Sequence, residues 1–359
     1  MTGELSLLRM AAQRLIGPRC ATPAEAVRWL TAVQGQDLPG ALTSVALRTD
    51  GGTRDGVVAA LDAGEVVRSW PMRGTLHLTA ADDLPWMLQL LSAKALAGAS
   101  GRRAIVGLTD ADVERARDVA SAALTGGRRL GRAALIAALA AGGVPTEGQR
   151  GYHLLWWLAQ NGLTCLGPMD DGDQQFVLLD EWVPVPRRLE RDEALGELVH
   201  RFFASHGPAT VKDLVRWAGV LVRDVKAGLA VAGDRLERLD VDGTEHWMDP
   251  ATPGRLATAS EEAEGVLLLP GFDELVLGYA DRSCTVPAEF ATRIVPGNNG
   301  MFRATAVHAG TAVAVWRTGR GKGRPIALEP FAELPAAVVA AIEERYDTLP
   351  WGRSPEVAG

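Results

Sequence analysis

The chain has 359 residues, of which 47% are hydrophobic and 23% are charged, and its formal net charge is −7. This length allows two or three domains, and the composition is ordinary for a soluble globular protein. No stretch approaches the roughly 18 uninterrupted apolar residues of a membrane span, and no signal peptide is expected. Cys20, Cys165 and Cys284 are too widely spaced for a disulfide framework or a zinc site. We therefore expect a cytoplasmic protein that holds no metal and no cofactor.

The negative net charge argues against a uniformly basic surface for nucleic acid. Charge is unevenly distributed, however, because residues 290–328 and residues 119–146 contain arginines and no Asp or Glu. Such segregation permits a local anion-binding face on an acidic protein. Solvated loops would produce the same pattern.

The N-terminal third predicts several helices followed by a hairpin. Thr22, Pro23 and Glu25 have the spacing of an N-cap, a first-turn proline and a capping box, so they mark the start of the second helix. We expect that helix to end at about Val33 or Gln34. Two strand-like runs, EVVRSW and GTLHLT, follow and are joined by PMR. The predicted helices are 4–15, 23–34, 40–48 and 54–62.

The same order recurs twice along the chain. Each recurrence has three predicted helices and then two strand-like runs, and the last pair of runs flanks a turn at Asp242-Gly243. Three passes of helices and hairpin predict three tandem winged helix-turn-helix units, although short helices and hairpins also recur in other α+β domains. The recurring helices are 110–124, 130–144 and 148–163, then 192–207, 209–220 (with Thr210 as its cap) and 223–233.

The last hundred residues are rich in β-branched residues and turn glycines. Hairpins are predicted at His308–Thr311 and near Arg320–Arg324, and a terminal helix is predicted over 335–346. The strand-bearing stretches are 266–279, 293–320 and 325–331. The sequence thus predicts an α+β fold of three winged helix-turn-helix units and a C-terminal β-rich domain. The predicted boundaries are 1–107, 108–188, 189–258 and 259–359.

Two glutamines, Gln34 and Gln36, flank Gly35 at the predicted end of the second helix. On a helix, side chains two positions apart diverge by about 200° and cannot share a target. In an extended segment they fall on the same side, and a glycine makes such a conformation easy. Taken alone, the motif is a polar helix terminus.

Four stretches together resemble the winged-helix DNA glycosylase family that unhooks interstrand crosslinks, the AlkZ-like type associated with azinomycin resistance. They extend over nearly the whole chain in the order found in the family. The stretches are VQGQD at 33–37, SWPMRGTLHL at 69–78, LLPGFDELVLGYADR at 268–282 and GNNGMFRATAVHAGTAVAVWR at 297–317.

The resemblance implies that the winged units and the β-rich domain form a C-shaped clamp around duplex DNA. It also implies that a Gln-x-Gln motif in the first third is catalytic. Gln34 and Gln36 match that motif, with Gly35 where the family typically has an apolar residue. The implied activity is hydrolysis of the N-glycosidic bond of N7-alkylated guanine, in bulky adducts and interstrand crosslinks. The implied role is DNA repair or self-resistance to a genotoxic antibiotic.

The chemistry of this substrate suits amide side chains. N7-alkylation makes the guanine ring cationic, so the base leaves as a neutral group and needs no strong acid. The enzyme has to place a water and stabilise an oxocarbenium-like transition state. An amide can hold a water but cannot act as a true base, so Gln34 and Gln36 would orient the water. The neighbouring carboxylate of Asp37 is a further candidate.

Candidate DNA contacts lie in two of the resembling stretches. The loop PGNNGMFR carries Asn298, Asn299 and Arg303, which are suited to backbone or groove contacts, although Asn299-Gly300 can also form a plain turn. In the first predicted wing, Arg73 suits a phosphate, and His77 suits a phosphate or the water. Structural roles for both are the alternative. The acid-free basic segment adds Arg317, Arg320 and Lys322.

Several other features favour structural roles. Asp273 and Glu274 are expected to take part in a structural salt bridge with a basic residue. Trp156 and Trp157 are expected to lie in the core. No lysine lies near Gln34 to form a Schiff base, which favours a monofunctional enzyme. Three winged units and a β-rich domain in one chain suit a clamp better than a dimeric regulator, so we also expect a monomer. The alternative function is a non-catalytic winged-helix DNA-binding protein or regulator. A regulator usually has a basic recognition helix, whereas PAEAVRWLTAVQGQ contains one arginine and no lysine.

Overall fold

The computed structural model describes residues 2–319 and 325–350 and combines helices with antiparallel sheets. The chain divides into two compact units. The first unit contains the residues up to Val57 and those from Leu195 onwards, and the second unit contains Val58–Ala194. Across residues 2–319 and 325–350, no helix is both long and apolar enough to cross a membrane.

The N-terminal part of the first unit is mostly helical. The predicted helix start is confirmed, because the Thr22 hydroxyl accepts a hydrogen bond from the Glu25 amide at 3.1 Å. The predicted end is wrong by several residues, because Thr31 takes a positive φ of 70° and stops the helix after Leu30. The elements are α1 (Thr2–Ala12), α2 (Pro23–Leu30), β1 (Val33–Gln34), α3 (Leu38–Ala46) and α4 (Arg54–Asp62), which continues into the second unit.

The second unit surrounds antiparallel strands with helices, and within it the strand order is β3-β2-β4-β5. The sequence pattern does not predict helices α5 and α6. The first is apolar apart from Gln89 and the second is rich in Ala and Gly, so neither shows in sequence the clear polar and apolar faces that mark a helix. The elements are β2 (Val66–Met72), β3 (Thr75–Ala80), a 3₁₀ turn (Ala81–Asp83), α5 (Leu84–Leu91), α6 (Ala93–Val106), α7 (Asp110–Leu124), α8 (Arg132–Ala141), α9 (Arg150–Gln160), β4 (Thr164–Asp170), β5 (Asp173–Leu178) and α10 (Leu179–Trp182).

The first unit resumes with three helices and a two-stranded ribbon, as predicted. Thr210 caps its helix with a full capping box: its hydroxyl accepts from the Asp213 amide, and the Asp213 carboxylate accepts from the Thr210 amide at 2.8 Å. The ribbon turns at Asp242 and Gly243, and both of these residues have positive φ. The elements are α11 (Arg191–His206), α12 (Val211–Ala218), α13 (Val222–Ala232), a 3₁₀ turn (Gly233–Arg235), β6 (Glu237–Val241) and β7 (Thr244–Met248).

The C-terminal region contains an antiparallel sheet in the order β11-β10-β9-β8. Two predicted strand stretches are partly helical instead. Asp273 accepts a hydrogen bond from the Leu275 amide and starts a short helix, and residues 291–298 form helical turns. The elements are α14 (Thr252–Ala257), α15 (Ser260–Ala263), β8 (Val266–Leu269), α16 (Glu274–Leu277), a 3₁₀ turn (Ala288–Phe290), α17 (Ala291–Ile294), a second 3₁₀ turn (Pro296–Asn298), β9 (Thr305–His308), β10 (Thr311–Thr318), β11 (Ile326–Pro330) and α18 (Ala336–Asp347).

The core of the first unit contains residues from the N-terminal helix and from the strands of the C-terminal region. Met10 and Ile16, near the N-terminus, are fully buried in one cluster with Leu269 of β8 and Val307 of β9. On the other face of this sheet, α18 packs through Ile342 in a second cluster. The strands that carry the C-terminal loops are therefore supported from both sides.

Replacing Leu269 with alanine should destabilise the protein by about 2–5 kcal/mol, because Leu269 is fully buried and the truncation leaves a cavity. Urea denaturation measures the loss. Leu221→Ala is the matched control, since half of the Leu221 side chain is exposed. A similar loss in both variants would contradict the assignment of Leu269 to the core.

Candidate active site and DNA-contacting residues

The segment that carries the two glutamines is not helical. After α2 ends at Leu30, residues Val33 and Gln34 form the short strand β1, and α3 begins only at Leu38. The segment therefore lacks the helical geometry that would point the side chains of Gln34 and Gln36 in opposite directions. The positive φ that ends the helix belongs to Thr31, however, and not to Gly35.

The two amide side chains have different surroundings. Gln34 is 7% exposed, and its side-chain oxygen Oε1 accepts a hydrogen bond from the backbone amide of Gln36 at 2.9 Å. Gln36 is exposed, as is Asp37, the residue that precedes α3. The local bond thus fixes the Gln34 side chain and leaves the Gln36 side chain at the surface.

A buried carboxylate holds the Gln34 backbone. Glu274 at the start of α16 is fully buried, and its Oε1 accepts from the Gln34 amide at 3.4 Å. Its Oε2 accepts from Trp217 Nε1 at 2.9 Å and lies 3.4 Å from His206 Nε2. The ring of His206 stacks on that of Phe202 with centroids 4.6 Å apart. A buried carboxylate is tolerated only with such partners, so these contacts hold the Glu274 carboxylate next to the Gln34 backbone.

The neighbouring carboxylate forms the expected structural salt bridge. Asp273 and Arg48 are both buried, and the guanidinium of Arg48 donates to both carboxylate oxygens at 2.8 and 2.9 Å. Ser44 donates a further hydrogen bond at 2.6 Å. Burial alone would raise the pKa of Asp273, but the charge and hydrogen bonds of Arg48, together with Ser44, lower it below its usual range. The network anchors α3, which follows the glutamine segment.

Glycines bring three chain segments together beside Asp37. A Cβ on Gly40 would lie 2.5 Å from Asp37 Oδ2 and 3.3 Å from the Gly271 oxygen, and a Cβ on Gly271 would lie 2.8 Å from the Phe302 oxygen. Larger residues would clash at both glycines. The start of α3 therefore lies against the 271 loop, and that loop lies against the end of the asparagine loop at 296–303.

The predicted DNA-contacting residues of the 296–303 loop differ in exposure. Asn298 and Asn299 are exposed, and Asn298 has a φ of 52°. Arg303 is half-buried, and its guanidinium pairs with Glu329 of β11 at 2.7 Å. Arg317 is exposed on β10. Arg320 and Lys322 lie outside the described residues.

The two candidates in the first wing belong to the second unit. Arg73 is exposed at the turn between β2 and β3, with a φ of 54°. His77 is fully buried on β3, and its Nδ1 lies 2.8 Å from the Thr75 carbonyl oxygen. This placement fits the structural alternative for His77, a hydrogen-bonded histidine within a strand. A buried ring is not presented to a phosphate.

Sequence reasoning missed His206 and Trp217, two partners of the carboxylate behind Gln34. Both lie far from residue 34 in sequence. The available signal was the pair Asp273-Glu274 directly after the apolar run VLLLPGF, which places two charges next to a buried strand.

Comparison with known proteins gives consistent matches over nearly the full length. A family model described as DNA glycosylase AlkZ-like matches residues 27–349. A curated relative from Streptomyces sahachiroi, named interstrand DNA cross-link repair glycosylase, is 26% identical over an alignment of 347 positions that covers 92% of this chain and 91% of the relative. The solved structure of Streptomyces sahachiroi DNA glycosylase AlkZ is similar in fold, with a TM-score of 0.78, 24% identity and coverage of 96% and 94% of the two chains.

Replacing Arg48 with methionine should destabilise the protein by about 3–5 kcal/mol at neutral pH, because it leaves the buried carboxylate of Asp273 without its partner. Urea denaturation measures the change. Arg238→Met is the control. Its ion pair with Glu245 is exposed, so this change should cost no more than about 1 kcal/mol.

The loss caused by Arg48→Met should also depend on pH. Asp273 has a lowered pKa in the folded protein, so its contribution is present above its unfolded pKa of about 3.9 and is lost as the pH falls through the folded value. In the variant, protonation relieves the unpaired charge. The difference in unfolding free energy between wild type and variant should therefore narrow from pH 7 to pH 3. A constant difference would contradict this role.

Proposed function

Because this chain belongs to the AlkZ-like DNA glycosylase family, we propose that it hydrolyses the N-glycosidic bond of N7-alkylated guanine in duplex DNA. Bulky adducts and interstrand crosslinks are the proposed lesions, in DNA repair or in self-resistance to a genotoxic antibiotic. The name of the Streptomyces sahachiroi relative supports this substrate class. The observation that carries the proposal is the non-helical Gln34-Gly35-Gln36 segment, fixed from behind by Glu274 and open at Gln36.

The proposed reaction uses the charge already present on the base. An N7-alkylguanine leaves as a neutral molecule, so catalysis consists of placing a water at the sugar carbon and stabilising positive charge on the sugar. Since an amide does not take up a proton at neutral pH, the two glutamines orient the water, and the cationic sugar drives the attack.

The surroundings of the glutamines suggest a division of roles. A carbonyl oxygen has two lone pairs, so Gln34 Oε1 can hold a water while it still accepts from the Gln36 amide. Gln36 is exposed and offers both an oxygen and an NH₂ group to the water or to the DNA backbone. Asp37, beside it, adds a negative charge that favours a cationic sugar nearby.

The proposed enzyme is monofunctional and monomeric. The first lysine in the chain is Lys94, in the second unit, so no lysine side chain lies within the segment around Gln34. A bifunctional glycosylase forms a Schiff base with the sugar through an amine. The proposed nucleophile is therefore water.

The proposed DNA contacts are the exposed candidates. Asn298 and Asn299 reach the DNA from a loop whose end packs on the 271 loop, and Arg73 and Arg317 contribute positive charge at exposed turns and strand positions. Arg303 is proposed to support that loop through Glu329. Arg320 and Lys322 remain predicted contacts.

The finer architecture is part of the same proposal. A two-stranded antiparallel ribbon follows four helices in the first region and three helices in each of the second and third regions. This order supports winged helix-turn-helix units with wings β2–β3, β4–β5 and β6–β7. The proposed boundaries of these units and the C-terminal region are 1–107, 108–188, 189–258 and 259–359. Closure of the four around duplex DNA as a clamp belongs to this proposal.

The test is release of N7-methylguanine from methylated duplex DNA by the full chain, measured by chromatography of the free base. Gln34→Ala and Gln36→Ala should each slow release on the order of 10²-fold, because the water loses its placement. Gln89→Ala removes an exposed amide in α5 and should leave the rate unchanged. Thermal unfolding of each variant shows whether the fold is retained.

Two results would contradict the proposal at different levels. Wild-type protein that releases no N7-alkylguanine, from monoadducts or from crosslinked duplexes, would exclude the glycosylase function. A specific footprint on undamaged DNA would then favour the regulator. Normal release by both glutamine variants would exclude the proposed site and keep the enzyme.

A further inference from the structure

The second unit contains a cavity that none of the proposed catalytic groups uses. It has a volume of about 680 Å³ and lies between α6, the N-terminal half of α9 and the β2–β3 turn at Gly74. A volume of this size is typical of a site for a small molecule or a single nucleotide unit. Its polar and aromatic side chains come mainly from α9 and the residue before it: Gln149, Tyr152, His153 and Trp156.

The walls of the cavity are aromatic. The rings of His153 and Trp156 are stacked, with centroids 5.7 Å apart and an angle of 27° between their planes. The sequence predicts that Trp156 lies in the core, but it is only partly buried and packs against the core cluster from the cavity side. Tyr152 is 49% exposed, and its ring forms a T-shaped pair with that of Trp70, with centroids 6.4 Å apart. Such an arrangement offers a planar ligand faces and edges on which to stack.

One lining residue, His153, has a buried polar atom that lacks a partner among the described residues. His153 is only 8% exposed, and within the described part of the chain its Nε2 makes no hydrogen bond. Burial and the charges of Arg103 and Arg102 lower the pKa of His153, so the ring is neutral at pH 7. A neutral imidazole has one donor and one acceptor nitrogen, and leaving one of them unpaired in a buried position is costly. A ligand with a polar edge would satisfy it.

The remaining lining residues offer an amide and a guanidinium, which suit the base and the phosphate of a nucleotide. Gln149 is exposed and offers an amide that can pair with a base edge, and Arg102 is exposed and suits a phosphate. Among the described residues, a Cβ placed on Gly98 would meet nothing within 4 Å beyond its own helix, so the cavity is open above this part of α6. A purely aliphatic ligand would leave His153 unpaired, and a simple anion would not use the aromatic walls.

We propose that this cavity binds an unpaired nucleobase of DNA, stacked on the Tyr152 and Trp156 rings with its polar edge at His153 Nε2. The inference deepens the proposed glycosylase function, on which the choice of DNA as ligand rests. A base displaced from the duplex near a lesion exposes both faces and its hydrogen-bonding edge, which are the features that the cavity matches. Binding it here would hold the distorted DNA in place while the lesion is processed.

The test compares binding of two unmodified, fluorescein-labelled duplexes to the full chain by fluorescence anisotropy. One duplex carries a single unpaired adenine and the other is fully paired. Wild type should bind the duplex with the unpaired adenine about tenfold more tightly, as expected for one stacked base. Gly98→Leu places an isobutyl group in the cavity against α6, in the space that the base would occupy, and should remove this preference. His153→Phe keeps a planar ring without its nitrogens and should reduce the preference about fivefold.

Gly101→Leu is the matched control. Gly101 lies on the same helix and is exposed, but it does not line the cavity. Like Gly98, it has space for a larger side chain, since an added Cβ would meet nothing within 4 Å among the described residues beyond its own helix. Both substitutions replace a helical glycine with a better helix former, so both variants should fold. Circular dichroism and thermal unfolding verify this. The Gly101→Leu protein should keep the wild-type preference.

Three outcomes would overturn the proposal: no preference for the unpaired adenine in wild type, a preference that survives Gly98→Leu, or an equal loss in Gly101→Leu. A further arm titrates free adenosine. Binding of adenosine that Gly98→Leu abolishes, without any preference between the duplexes, would assign the cavity to a free heteroaromatic molecule and also overturn the DNA proposal.

The test is independent of catalysis, because neither duplex carries an alkylated base. A protein that releases no alkylguanine but prefers the unpaired adenine would retain the site and lose the proposed function. If wild type and Gly98→Leu release alkylguanine at the same rate, and wild type shows no preference for the unpaired adenine, the proposed function is retained and the proposed base-binding site is excluded.

Discussion

Two adjacent buried carboxylates, Asp273 and Glu274, hold the first unit of this protein together. A buried charge is destabilising unless it is paired and hydrogen-bonded. Asp273 meets this condition through Arg48, and Glu274 meets it through Trp217, His206 and the backbone of the glutamine segment. Because these partners come from separate parts of the chain, the carboxylates link the N-terminal helices, the third set of helices and the C-terminal region.

This anchoring supports the proposal that a glycine-containing segment positions a water. A Gln-Gly-Gln sequence is locally adaptable, and alone it would not hold an amide within the tolerance that catalysis needs. The backbone N–H of Gln34 donates to the Glu274 carboxylate, and the side-chain oxygen of Gln34 accepts from the backbone N–H of Gln36. Rigid support behind the segment therefore offsets the freedom that Gly35 introduces.

Much of the secondary structure could be predicted from sequence, because its signals are local. Thr22 and Thr210 mark helix starts through their own side chains, and the ribbon turn at Asp242-Gly243 follows from glycine at positive φ. The family prediction is also confirmed, since the match extends over residues 27–349. Helix α6 escapes prediction because its Ala and Gly residues carry no polar and apolar pattern, and the GFDELVL stretch wrongly predicts a strand because its apolar run resembles one.

The sequence by itself determined the capped helices, the ribbon turn at Asp242-Gly243, the family and the Gln-x-Gln motif, since each depends on neighbouring residues or on matching motifs. Only the tertiary structure decided that Glu274 lies behind Gln34, that His77 is buried while Arg73 is exposed, and that His153 has an unpaired nitrogen at a cavity wall within the described part of the chain. The physical reason is that burial and pairing of polar groups depend on contacts between residues far apart in the chain, and no local pattern encodes those contacts.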